Sequence, residues 1–309
     1  MNKIKLMKPI VDFVFKRIFA GETKESKIVL IDLLNSILGL EKEEKIIEII
    51  YLNPYNDKEY KEDKISIMDV KVKTQKDELI DIEVQINNRD NYRKRSLYYW
   101  SKMYGETIED GDAYETLKKC IVVNILDFNL LKETKKYHSK FKVKDIEENF
   151  ELLDDLEIHY LELPKFNDNK SVKEMNELEK WLVFIKDAGD EGKEELVNGI
   201  RNKSEVIDMA GKMLEKLSQD EKARQKYYQR EKWLLDEKSK IAYEKIQRQR
   251  ALEEGLKQGI KQGIEQGIEQ GKIEIVKNLL MIGVDIEKII QASGLSKKEI
   301  ENIQKEIQH

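Results

Sequence analysis

The stretch IMDVKVKTQKDELIDIEVQ, Ile67 to Gln85, alternates apolar and polar residues on both sides of a short polar centre. That pattern predicts two strands joined by a tight turn. In the second strand Ile80, Ile82, Val84 and Ile86 point one way, and Asp81, Glu83, Gln85 and Asn87 point the other. In the first, Met68, Val70 and Val72 share a face opposed to Asp69, Lys71 and Lys73. With the turn centred on Lys76, Asp69 comes opposite Glu83 and Lys71 opposite Asp81, so both apolar rows meet one core. The same register draws the Asp69 and Glu83 carboxylates to within about 5 Å. Two carboxylates that close repel unless a proton or a cation lies between them. A hard divalent cation such as Mg2+ is held in this way, by one or two carboxylates with water and substrate phosphate. A solvated charged strand face is the ordinary alternative. Gln85, one step beyond Glu83 and able to orient a water, favours a site, as does the helix rich in arginine and aromatics that follows.

Outward from the hairpin, helix and strand signals interleave. PIVDFVFKRIFAG (residues 9–21) reads as a helix with Val11, Val14, Phe15 and Ile18 on one face and Gly21 as its stop. SKIVLIDLLNSILGL (26–40) is a second amphipathic helix, closed by Gly39. EKIIEIIYLNP (44–54) is strand-like and ends at Pro54. NYRKRSLYYWSKMYGETIEDG (91–111) reads as a long helix. KCIVVNILDFNLL (119–131) is a continuous apolar run, the mark of a buried strand, and LEIHYLELPKF (156–166) alternates like another. Residues 1–165 are therefore predicted to form a mixed α/β domain, a sheet flanked by helices.

Residues 166–250 carry a helical pattern, and the three prolines, Pro9, Pro54 and Pro164, all precede it. Between 251 and 271 Gly255, Gly259, Gly263, Gly267 and Gly271 recur at every fourth position. Each glycine costs a helix about 1 kcal/mol relative to alanine. The repeat leads the helical turn by about 40° each time, so the glycines form a slowly winding stripe. Two readings remain open: close helix–helix contact along that stripe, hence oligomerisation, or a flexible low-complexity linker. Residues 272–309 read as three short helices, with Gly283 as a stop, Asp285 as a cap and a Ser296–Glu299 capping box. The arrangement resembles a helix-turn-helix. Its last helix, KKEIENIQKE, balances positive and negative charge, which suits a small interaction module better than a phosphate-contacting surface.

The chain has 309 residues, 38% of them charged, with a net charge of only −5. That excludes a uniformly basic nucleic-acid binder, though not a local basic face. The single cysteine, Cys120, excludes a disulfide framework and a cysteine zinc cluster. The histidines, His138, His159 and His309, are not at metal-ligand spacing. No phosphate-binding loop of the GxxxxGK[ST] type occurs, and no histidine accompanies a nucleophile motif. With no signal-peptide pattern and no long apolar run, a cytoplasmic protein without a membrane partner is expected.

Together these residues resemble the PD-(D/E)xK nuclease superfamily, whose hallmark is an Asp on one strand and Glu-x-Lys on the next. The nearer resemblance is to the Rpn-type recombination-promoting nuclease and transposase family. It rests on Asp12-Phe13-Val14-Phe15-Lys16-Arg17-Ile18-Phe19, Asp69-Val70, Ile82-Glu83-Val84-Gln85, Arg95 to Tyr99, and Gly111 to Tyr114, and covers roughly residues 1–240.

The resemblance implies a restriction-endonuclease-like fold and hydrolysis of DNA phosphodiesters. It implies that Asp69 and Glu83 hold Mg2+ or another divalent cation with the Val84 carbonyl. Gln85 stands where the superfamily usually has Lys, so a hydrogen-bonding group replaces a charge. Asp12 is the candidate acid of the first helix; its alternative is an i,i+4 pair with Lys16. Arg93, Lys94 and Arg95, in a cluster with Arg89 and Lys102, and Lys16 of the first helix are the candidate phosphate contacts, with Tyr92 or Tyr98 available to stack and Trp100 and Tyr104 packed. The expected activity is a metal-dependent DNA endonuclease in recombination, transposition or phage defence, oligomerising through its C-terminal helices. Two other readings stand beside it. One is a non-catalytic nuclease-fold protein that acts through its helical tail. The other is a transposase-like DNA binder whose tail reads sequence.

Overall fold

A computed structural model describes residues 5–52, 69–88, 91–167 and 169–307. Met68, Pro54, Arg89 and His309, singled out above, lie outside the described residues. Two compact units emerge, Met1–Lys238 and Ser239–His309.

The first unit opens with helices α1 (Asp12–Phe19) and α2 (Lys24–Leu38). Helix α1 buries Val14, Phe15, Ile18 and Phe19. Helix α2 starts where Thr23 accepts the Ser26 N–H and ends at Gly39, whose φ of 67° is left-handed. Strand β1 (Ile49–Tyr51) is shorter than the apolar run around it. The hairpin follows as β2 (Val70–Thr74) and β3 (Leu79–Gln85). Its ladder pairs Val70 with Ile82 and Lys71 with Asp81, the predicted register, and just beyond it hydrogen bonds bring Asp69 beside Glu83.

Helix α3 (Tyr92–Gly105) crosses over to β4 (Cys120–Leu126), which runs parallel to β3. The helix stops at Gly105, short of the Gly111 to which the pattern extended. Parallel pairing requires such a crossover, and the crossover lays a helix on the sheet. Strand β6 (Leu156–Glu162) extends the parallel run, and β5 (His138–Phe141) closes the edge antiparallel to it. The sheet order is β1-β2-β3-β4-β6-β5. Strand β5, HSKF, has no apolar alternation to announce it; the sheet edge makes it a strand.

Helices α4 (Glu177–Asp187), α5 (Glu194–Arg201) and α6 (Glu205–Gln219) follow, α4 opening on an Asn176–Glu179 capping box. One large core joins α1, α2, α4 and α6 to the face carrying Ile80, Ile82, Val84, Ile121, Val123 and Ile125. A second, smaller core holds Tyr92 and Met103 of α3 against Val122, Leu126, Ile158 and Tyr160 on the other face. The hairpin's charged row therefore lies under a helix. Lys71, Asp81 and Glu83 are buried, which is the opposite of a solvated strand face.

Helix α7 (Glu221–Met281) starts after a break at Asp220 and runs unbroken through the glycine repeat. In the second unit α8 (Ile286–Ser293) and α9 (Lys297–Ile307) close a core of Val276, Ile289, Ile300 and Ile303. Gly283 and Gly294 take left-handed φ of 79° and 69°, Asp285 caps α8, and Ser296 and Glu299 form the capping contacts of α9. No helix among the described residues is long and apolar enough to cross a membrane.

Candidate active site

At the carboxyl end of β3 two acidic side chains interlock through the backbone. Asp69 Oδ2 accepts the Val84 N–H at 2.9 Å, and Glu83 Oε1 accepts the Asp69 N–H at 3.3 Å. Each carboxylate is thereby tied to the strand that carries the other. Alternation puts Glu83 on the α3 face, where it is 1% exposed.

Each carboxylate also has its own cation. Lys16, reaching from α1, stands 3.0 Å from Asp69 Oδ1. Arg95, from the first turn of α3, stands 3.2 Å from Glu83 Oε2. The Arg95 guanidinium lies over the rings of Tyr92 and Tyr99, 5.2 and 5.3 Å from their centroids, which fixes it in place. Gln85 Nε2 donates to the same Glu83 oxygen at 3.3 Å. Burial pushes the Glu83 carboxyl up to about 8, and the Asp69 anion adds to the rise; Arg95 opposes both.

Asp81, two residues before Glu83 on the same face, is fully buried, and neither of its side-chain oxygens has a hydrogen-bond partner. Burial, then the charges of Glu83 and Asp69, hold it well above the usual carboxylate range. Its cross-strand neighbour Lys71 turns away to pair with Glu106. Strand alternation had already put Asp81 beside Glu83, and its lack of a partner shows only in the folded chain. Behind Glu83, the Tyr92 hydroxyl donates to Asn124 Oδ1 at 3.0 Å, and Asn124 Nδ2 donates to the His159 carbonyl at 2.9 Å. These bonds hold the start of α3 against β4 and β6.

The other predicted residues divide. Asp12 is gripped by Arg230 of α7, whose Nε lies 2.8 Å from Oδ1 and whose Nη2 reaches Oδ2. Lys16, one turn further along α1, goes to Asp69, so the i,i+4 pair considered for Asp12 and Lys16 gives way to two separate partners. Arg93 forks onto Glu133 with two contacts of 2.8 Å, and Lys94 is exposed. Of the candidate phosphate contacts, Lys16 and Arg95 thus reach the carboxylates and Arg93 does not. Sequence reasoning missed Arg230: more than two hundred residues separate it from Asp12, and no local pattern joins them.

The donor set suits a hard cation. Asp69, Glu83 and the Val84 carbonyl offer only oxygen, and a cation between the two carboxyls would take the place of the proton that buried Glu83 otherwise holds beside Asp69. Among the described residues no group of three or more His, Cys, Asp or Glu side chains gathers to hold a metal, so such an ion would draw on backbone and water as well.

A family model described as PD-(D/E)XK nuclease family transposase matches residues 9–244. Neither the curated proteins nor the solved structures yield a match.

Proposed function

The chain belongs to the PD-(D/E)XK nuclease family transposases, and from that premise we propose that it is a metal-dependent DNA endonuclease. The observation that carries the proposal is the backbone-locked approach of Asp69 and Glu83 at the end of β3. Asp69, Glu83 and the Val84 carbonyl would hold Mg2+ or another divalent cation. When bound there, the metal supplies a water of lowered pKa and neutralises charge on the phosphate. Gln85, hydrogen-bonded to Glu83, would orient a water through its amide and contributes no charge. Lys16 and Arg95, which compensate the carboxylates in the free chain, are placed to turn to substrate phosphates. Asp12, held by Arg230 in the free chain, would be the further acid of the site. Exposed Lys94 and the Arg93–Glu133 pair mark where a DNA backbone would be gripped. The protein acts in recombination, transposition or defence against phage, in the cytoplasm, and as a homo-oligomer through its C-terminal helices.

The test is nicking of supercoiled plasmid by wild-type protein, Asp69→Ala and Glu83→Ala, each with Mg2+ and with EDTA. Metal-dependent nicking lost in both variants supports the reading. Equal nicking by all three proteins refutes it. A second reading, a non-catalytic scaffold, draws on the fact that both carboxylates already carry a cation of their own. Absence of Mg2+ binding by calorimetry, together with absence of nicking, would establish that reading instead.

A further inference from the structure

The glycine repeat of α7 carries three parallel rows, one residue and about 100° apart around the helix. One row is Gly255, Gly259, Gly263 and Gly267. The next is Leu256, Ile260, Ile264 and Ile268. The third is Lys257, Lys261, Glu265 and Glu269. The apolar row is solvent-facing, between 56% and 64% exposed, and a Cβ added at any of these glycines would meet nothing within 4 Å. The helix thus bears an uncovered ridge of branched side chains beside an empty groove, and five glycines that weaken it as a lone helix.

The charged row says what covers the ridge. It reads Lys, Lys, Glu, Glu and is complementary to itself when reversed about Gly263. In a two-fold antiparallel pair each flanking row faces its own copy, whereas in a parallel pair it faces the opposite flank of the partner. Antiparallel contact therefore sets Lys261 against Glu265 and Lys257 against Glu269, twice over. On the other flank glycine faces glycine, so the backbones can approach closely. A parallel pair would set the charged row against the glycine row and make no ion pair.

We propose that residues 255–269 of α7 form an antiparallel two-fold contact with the same segment of a second copy of this chain, centred on Gly263. Rows spaced by four residues pack best at a crossing angle of about −50°, so the inner pair, Lys261 with Glu265, lies closest to the centre. The inference deepens the oligomeric part of the function proposed above and does not depend on catalysis.

The test uses the full chain in sedimentation equilibrium. Lys257→Glu with Lys261→Glu makes the row uniformly acidic, and the dimer is expected to weaken at least about tenfold. Adding Glu265→Lys and Glu269→Lys to the same chain restores complementarity and should restore the dimer, which separates charge from misfolding. Orientation is read with a short bismaleimide. A mixture of Lys257→Cys and Glu269→Cys chains should cross-link to each other. Two Lys257→Cys chains should not, because their new thiols stand about 18 Å apart along the axis. A chain that stays monomeric overturns this contact and the oligomeric reading together. A dimer indifferent to the charge changes, or one cross-linked between two Lys257→Cys chains, overturns the contact alone. Loss of nicking in none of these variants is required.

Discussion

Replacing Glu83 with Gln should make the metal-free protein more stable at alkaline pH, although the residue is proposed to be essential. The free chain has to bury this carboxylate beside Asp69. Its carboxyl titrates near 4.5 when unfolded and is pushed up to about 8 when folded. Between those values the folded state holds a proton that the unfolded state has lost, so stability falls as pH rises through this window. Above pH 8 the full cost is about 5 kcal/mol. An amide of the same shape escapes that cost, in which the favourable bonds from Arg95 and the Asp69 N–H to the charged carboxylate are already included. Glu83→Gln should therefore lead by about 4 kcal/mol at pH 9, which for a domain of this size is about 8–16 °C in Tm. At pH 5 the wild-type carboxyl is protonated in the folded state, and the two proteins should lie within about 1 kcal/mol. Thermal unfolding of both proteins in EDTA at pH 5 and pH 9 measures this directly. A wild type as stable as the variant at pH 9 would refute the account of Glu83 as a carboxylate under repulsion.

Two further outcomes concern the scaffold. His138, hydrogen-bonded to His159 at 2.8 Å and held by burial at about 4, stays neutral in the fold while the unfolded chain takes up a proton near 6.5. Stability should therefore drop by up to about 3 kcal/mol as pH falls from 6.5 to 4, and His138→Phe should flatten that limb in urea titrations. Trp181→Ala removes a fully buried indole packed on Phe19 and Phe184 and its 2.8 Å bond to Asp32. It should cost about 3–5 kcal/mol, and a loss under 1 kcal/mol would contradict the packing described here.

Local pattern alone determined a good part of this protein. The two-residue period of residues 67–85 specified the hairpin, its register and the meeting of Asp69 with Glu83, because a one-residue slip would have turned Ile80 and Ile82 away from the core. Helices α1 and α2 and the buried strand β4 were equally legible, since their apolar spacing leaves one way to bury them. The second unit's caps at Asp285 and Ser296 likewise read directly from short-range hydrogen-bonding chemistry. Only the tertiary structure decided the rest. The crossover through α3 covered the charged face of the hairpin, and that burial raises Glu83 and leaves Asp81 without a partner. The edge strand β5 exists because β6 offers it a ladder, and its own residues do not specify it. The grip of Arg230 on Asp12 joins residues far apart in the chain, and the choice of Arg95 over Arg93 to reach Glu83 follows from how α3 lies on the sheet. Short-range periodicity can say which face a side chain takes. Which other segment will lie against that face, and so whether its charge is hydrated, paired or stranded, is set by packing between parts of the chain that share no local signal.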